Sequence, residues 1–152
     1  MRDHTGIWTP RVTVASILER GGRYLMVEEI VDGRPVLNQP AGHLEDGESL
    51  LAAVIRETRE ETAWEFSPAA LVGIYRWWTR DKTFLRFVFT GQAHGHNPDQ
   101  PLDADIRRTH WLAWEELRSG RFEMRSPLVL RGLEDYREGR RFPLDLLRDL
   151  PG

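Results

Sequence analysis

Residues 42–64 read GHLEDGESLLAAVIRETREETAW, and this stretch organises the rest of the chain. Its centre is Arg56-Glu57-Thr58-Arg59-Glu60-Glu61. Leu50, Leu51, Val54 and Ile55 recur at helical spacing, which predicts a helix over 49–62 with its start supplied by Asp46 or Gly47. On a wheel of about 100° per residue, Leu51, Val54, Ile55, Thr58 and Thr62 share one apolar-to-neutral face. Arg59 falls on the far flank. Glu57, Glu60 and Glu61 line the other edge, partly turned toward the core.

That placement is costly. Like charges three or four residues apart destabilise a helix by about 0.2–0.5 kcal/mol per pair. The repulsion grows where a packed core lowers the dielectric. Arg56 can pair with Glu60 at i,i+4, which relieves one charge. A hard divalent cation with oxygen ligands, Mg²⁺ above all, is the natural partner for the rest. The competing reading is a solvated, salt-bridged surface helix. The residues ahead of the helix weigh against it. Gly42 lies five residues before Glu48, and Glu48 lies seven before Arg56, giving Gly-x5-Glu-x7-Arg-Glu-x-x-Glu-Glu.

This pattern resembles the signature of the Nudix hydrolases. All the charged positions are present. The chain departs from it at Thr58, where the family has an aliphatic residue, at Ala63, where it has glycine, and at Trp64, where it has another aliphatic residue. A glycine at a helix exit usually allows a left-handed residue, so Ala63 must either adopt that conformation or avoid it.

Composition sets the frame. At 152 residues the chain is long enough for one domain with a real core. A net charge of −3 gives no electrostatic reason to bind a nucleic-acid backbone. The absence of cysteine excludes disulfides and cysteine-ligated zinc. No apolar run approaches ~20 residues, so no spanning helix is expected. The opening MRDHTGIWTP lacks a signal-peptide apolar region, so a cytoplasmic location is expected.

Along the chain, residues 1–11 read as a short ordered arm and 12–150 as a single domain. A strand is expected over 12–18, with Val12, Val14, Ser16 and Leu18 on one face. Gly21-Gly22 signals a hairpin turn, and 24–29 is its return strand. Asp32-Gly33 marks another turn before a short strand around Val36-Leu37. Pro40 and Gly42 make a close-turning loop in which backbone groups can approach a ligand or metal. Residues 69–79 and 83–93 look like a long hairpin. Trp77 and Trp78 within it must face opposite sides. Arg76, Lys82 and Arg86 could serve a phosphate pocket; singly, each reads as a surface charge. His94 and His96 lack further histidine or cysteine partners for a transition metal. Asp103 and Asp105 either reach the metal from across a cleft or solvate a loop. A short strand over 109–112 precedes a short helix at Glu115-Glu116-Leu117. Ser126-Pro127 starts a last helix that Gly139 ends, and 142–150 packs back as a turn. This order reads as α/β, a mixed sheet with helices on both sides. The resemblance implies the same, the Nudix α/β/α sandwich with a mixed central sheet.

The likeness extends beyond the signature. Segments 38–45 (NQPAGHLE), 81–87 (DKTFLRF), 125–129 (RSPLV) and 141–144 (RFPL) resemble one bacterial Nudix subgroup. Its members are phosphatases acting on hydroxymethylpyrimidine pyrophosphate, with weaker action on thiamin pyrophosphate and nucleoside di- and triphosphates. The resemblance implies Mg²⁺ as cofactor, with Mn²⁺ as a substitute. It places Glu57, Glu60 and Glu61 on the metal, with Glu57 or Glu61 as base for the attacking water and Arg56 orienting the glutamates. Gly42 offers its backbone carbonyl, Glu48 is an outer metal contact or a second partner of Arg56, and Asp105 is a further metal candidate. Gln39, Trp77 and Lys82 are the substrate-binding candidates. The expected partner is a small-molecule diphosphate, with no nucleic-acid polymer and no membrane, and the protein a monomer or homodimer. Two alternatives stand: a general nucleoside triphosphate hydrolase, or a non-catalytic nucleotide-binding module of the same fold.

Overall fold

The computed structural model describes residues 5–152. Residues 1–4 of the expected arm lie outside them, and the first strand already begins at Arg11. In chain order the strands are β1 (Arg11–Ile17), β2 (Glu19–Arg20), β3 (Arg23–Val31), β4 (Arg34–Asn38) and β5 (Ala41–His43). Helix α1 (Leu50–Thr62) follows, then β6 (Glu65–Trp78), β7 (Thr83–His94), β8 (Ile106–Ala113), α2 (Trp114–Arg118) and α3 (Pro127–Arg137). A 3-10 turn, Leu144–Leu146, comes near the end.

The strands form two sheets. The first has the order β5-β1-β7-β6, with β1 and β7 parallel and the flanking pairs antiparallel, so it is mixed. The second is antiparallel and groups β2, β3, β4 and β8 around β3. Side chains alternate across β1. Val14 packs in the cluster that contains Ala53 and Val54 of α1. Ala15 and Ile17 pack with Val129 and Leu133 of α3. The mixed sheet is therefore sandwiched between α1 and α3, as the element order implied.

Two expectations need correction. The Gly21-Gly22 turn joins β3 to the two-residue β2, and the long strand before it belongs to the other sheet. The chain crosses between sheets at Leu18, whose carbonyl still accepts from Leu25 N at 3.0 Å. The helix start is also not Asp46 or Gly47. Ser49 is the N-cap, accepting from Ala52 N at 3.0 Å.

The departures from the family signature have local solutions. Thr58 is buried, and its hydroxyl donates to Val54 O at 2.7 Å while lying 2.8 Å from Ser16 Oγ of β1. A polar pair thus replaces aliphatic packing at the α1–β1 contact, and both hydroxyls are satisfied. Ala63 adopts the left-handed conformation, φ 61° and ψ 17°, at a cost of roughly 1–2 kcal/mol. Hydrogen bonds from Ala63 N to Arg59 O (2.8 Å) and from Asn97 N to Ala63 O (3.0 Å) offset it. Trp64 packs edge-on against Trp111 and stacks on His96.

Candidate active site

Helix α1 brings its carboxylates to the edge strand β5. Glu57 and Glu61 are one turn apart and almost buried, at 9% and 7% exposure. Ala41 N donates to Glu61 Oε1 at 2.8 Å. Gly42 lies against Glu57 so closely that a Cβ there would sit 2.1 Å from its carboxyl carbon. The missing side chain is therefore what lets the strand pass over the carboxylate.

The third carboxylate comes from Asp103, in the loop between β7 and β8. The carbonyls at the end of α1 hold this loop: Glu60 O accepts from Asp103 N (3.0 Å), Arg59 O from Gln100 Nε2 (2.7 Å) and Ala63 O from Asn97 N (3.0 Å). Glu60 O and Ala63 O thereby gain partners at the helix end, and Arg59 O, already bonded to Ala63 N, gains a second. One oxygen each from Glu57, Glu61 and Asp103 lies within 4.8 Å of the other two. Glu60 is outside this trio. It turns to Arg56 instead, at 3.1 Å.

Arg56 is the organiser. Its Nε and Nη2 donate bidentately to Glu48 at 2.9 and 2.7 Å. Its Nη1 donates to Glu57 (2.8 Å) and Glu60, and Nη2 also reaches His43 O at 3.1 Å. Hydrogen bonding to Glu48 comes first among the causes that push its pKa further up. The same bonds pull the Glu48 carboxyl below its usual range. Glu48 is thus the partner of Arg56, one of its two expected roles.

The cleft beside the trio holds about 450 Å³. Trp77 and Phe84 line it together, their rings 5.4 Å apart and 17° from parallel. Trp78 faces the other way and is 58% exposed, as the strand alternation required. Arg86, Arg125, Ser126 and Asp105 also line the cleft. Lys82 does not; it is exposed in the turn between β6 and β7. Gln39 is 1% exposed and its amide is engaged at both ends, donating to Val129 O (2.8 Å) and accepting from Arg86 Nη2 (2.6 Å). It supports the cleft from beneath rather than lining it. His94 lies against Ser67 and His96 against Trp64, outside the acidic group.

The electrostatics of the trio are unbalanced. Burial, then the charges of Glu29, Glu57 and Asp103, push the Glu61 carboxyl up to about 9 against the pull of Ala41 N. Burial also raises Glu57 and Asp103. Three hard oxygen donors that resist ionisation without a counter-charge suit a divalent cation bound by carboxylates. A stability consequence follows. Glu61 binds its proton more tightly folded than unfolded, so the metal-free protein has its full stability below the unfolded value of 4.5. It loses stability as pH rises toward 9. The expected loss is on the order of a few kcal/mol, and a divalent cation that binds the ionised trio should reverse it. Thermal melts between pH 5 and 9, with Mg²⁺ and with EDTA, check this; a metal-free melting temperature that rises over that range would contradict it.

Fold and acidic cluster together fit the class of hydrolases that cleave phosphoanhydrides with the help of a divalent metal. The NUDIX domain family matches residues 8–132, and the chain belongs to that family. Its members use divalent metals, and this chain is a hydrolase acting on pyrophosphate bonds. It is 40% identical over 144 residues to the Phosphatase NudJ of Escherichia coli K12, covering 94% of both chains. The solved NUDIX hydrolase from Nitrosomonas europaea superposes with a TM-score of 0.90 at 46% identity, over 93% of this chain and 98% of that one. The solution structure of the E. coli ORF135 protein, at 20% identity and TM-score 0.71 over 87% of this chain and 94% of that one, shares the fold. No helix among the described residues is long and apolar enough to cross a membrane.

Sequence reasoning weighed Asp103 only beside Asp105, and it did not single out Phe84 or Arg125. Asp103 reaches the trio through contacts made more than forty residues away along the chain, which no local periodicity reports.

Proposed function

We propose that this protein is a Mg²⁺-dependent cytoplasmic hydrolase of small organic diphosphates, with hydroxymethylpyrimidine pyrophosphate as its preferred substrate. Weaker action is expected on thiamin pyrophosphate and nucleoside di- and triphosphates. The observation that carries this reading is the Glu57–Glu61–Asp103 trio opening into the same cleft as the Trp77–Phe84 pair. One end of the cleft suits a metal diphosphate and the other a flat ring. The phosphatase name of the E. coli relative and the four resembling segments support it.

Glu57, Glu61 and Asp103 would hold the cation, with Mn²⁺ able to replace Mg²⁺. A bound cation supplies positive charge to the phosphate oxygens and acidity to water. Arg56 fixes the rotamer of Glu57 and keeps Glu48 and Glu60 away from the trio. Water oxygen bonds to phosphorus as the anhydride P–O bond breaks, and Glu57 or Glu61 takes the proton. Trp77 and Phe84 hold the organic group. Trp77→Ala should raise KM by about 10-fold, the equivalent of ~1.4 kcal/mol of stacking, with kcat little changed. Steady-state kinetics check this; an unchanged KM would move the ring site elsewhere.

Phosphate and pyrophosphate release, measured with Mg²⁺ and with EDTA over those substrates, tests the proposal. Metal-dependent turnover that favours hydroxymethylpyrimidine pyrophosphate is expected. A broad preference for nucleoside triphosphates would overturn the substrate and keep the chemistry.

A further inference from the structure

Arg86 is a cation with no close counter-charge. It sits in the middle of the mixed sheet, opposite Thr13 on β1 and Tyr75 on β6, and is only 5% exposed. Burial lowers its pKa to about 10. An ionised guanidinium in that position costs several kcal/mol unless an anion partners it. No ion pair within 4.0 Å joins it among the described residues. Glu29 and Glu61 act on it only at longer range.

Its nitrogens are divided. Nη2 donates to Gln39 Oε1 (2.6 Å) and Asn38 Oδ1 (3.1 Å). Nε is sealed from solvent without a partner. Nη1 has no hydrogen-bond partner among the described residues and is not sealed as Nε is, and Arg86 lines the cleft. Gln39 is itself fixed by Val129 O on α3. The guanidinium is therefore clamped on one side and free on the other. Phe84 lies two residues earlier on the same face of β7, roughly 7 Å away along the strand. Arg86 thus stands beside the aromatic pair, in the cleft that Glu57, Glu61 and Asp103 also line.

We propose that Arg86 binds the phosphoryl group that carries the organic substituent of the substrate, between the metal trio and the Trp77–Phe84 wall. This rests on the diphosphate reading of the cleft and assigns the residue that orients the substrate within it. A cation on the trio would leave its carboxylates with no charge to spare for Arg86, so the phosphoryl oxygens supply the anion that Arg86 lacks. Asn38 and Gln39 are positioning residues: they hold the fork so that Nη1 is presented.

The test uses methylenediphosphonate and the α,β-methylene analogue of a nucleoside diphosphate, neither of which has a hydrolysable anhydride. Their affinity is measured by calorimetry with saturating Mg²⁺, on wild-type protein and Arg86→Met. The same variant is titrated with Mn²⁺ alone by electron paramagnetic resonance. A charge-assisted hydrogen bond to an anion corresponds to a loss of about 10–100-fold in affinity for the ester analogue. Mn²⁺ affinity should hold or tighten, because a cation near Glu61 has been removed. Unchanged analogue affinity in folded Arg86→Met overturns the assignment and leaves the diphosphate reading intact. Parallel loss of Mn²⁺ and analogue binding also overturns it, since that marks a structural role. Wild-type protein that binds neither analogue overturns the diphosphate reading and the assignment with it. Should Arg86→Met fail to fold, Arg86→Lys identifies the Arg86 guanidinium signal in the ¹⁵N spectrum of the wild type. That signal must shift when the Mg²⁺ analogue is added; a stationary signal overturns the proposal.

Discussion

Glu61→Gln is expected to lower Mg²⁺-dependent turnover by about 10²–10⁴-fold, the range spanned by loss of a positioned acid–base group. It should also raise the stability of the metal-free protein. The amide can still accept from Ala41 N, so the contact that pins α1 to β5 survives. What disappears is a carboxyl whose pKa burial has pushed up to about 9. Above pH 4.5 the unfolded chain ionises that group and the folded chain resists, so the wild type is increasingly penalised as pH rises. The glutamine variant carries no such penalty. At pH 8 without metal it should be more stable than wild type by about 1–3 kcal/mol, and its melting temperature should vary less with pH. Mg²⁺ should stabilise the wild type and do much less for the variant. Opposite signs for activity and stability separate a functional carboxylate from a structural one. Retained turnover would remove Glu61 from the site, and a destabilised variant would show that its charge is paired.

Gly42→Ala should lower divalent-metal affinity by about 10–100-fold, as disturbing a ligand's support usually does. The new methyl group would meet the Glu57 carboxylate at 2.1–2.4 Å. Glu57 has little freedom to give way, because Arg56 holds it at 2.8 Å and β5 is fixed against β1 in register with Val14. Room appears only if the carboxylate leaves the trio. Gly42 has no left-handed backbone angle, so alanine adds no backbone strain there. The fold should persist with a modest change in melting temperature while the metal site is lost. Mn²⁺ titration beside a thermal melt reads both; wild-type Mn²⁺ affinity in the variant would show that Glu57 need not stay where Gly42 allows it.

Much of the fold was legible because its signals are local. The periodic run in α1 placed Val54 and Thr58 toward the sheet and Glu57 and Glu61 at its edge. Ser126-Pro127 marked the start of α3, where Ser126 accepts from Leu128 N. The Trp77-Trp78 pair divided as strand geometry requires. What was less legible depends on how side chains meet in three dimensions. Glycines 21 and 22 announce a turn, yet they cannot tell which sheet the preceding strand joins. Glu60 and Glu61 look equivalent in sequence, but in the structure Glu60 pairs with Arg56 while Glu61 lies with Glu57 and Asp103. Gln39 reads as a substrate ligand until Val129 and Arg86 are seen to occupy both ends of its amide. Arg86 reads either as part of a phosphate pocket or, singly, as a surface charge, because alternation along β7 does not reveal that β1, β6 and the Asn38-Gln39 segment bury it.

Glu57, Glu61 and Asp103 are the proposed metal centre. The most direct measurement is a crystal structure with Mn²⁺, read from its anomalous scattering. A peak is expected within coordination distance of oxygens from all three residues, with Glu60 still on Arg56. A peak held by Glu60 and Glu48, or one at the exposed histidines, would contradict it.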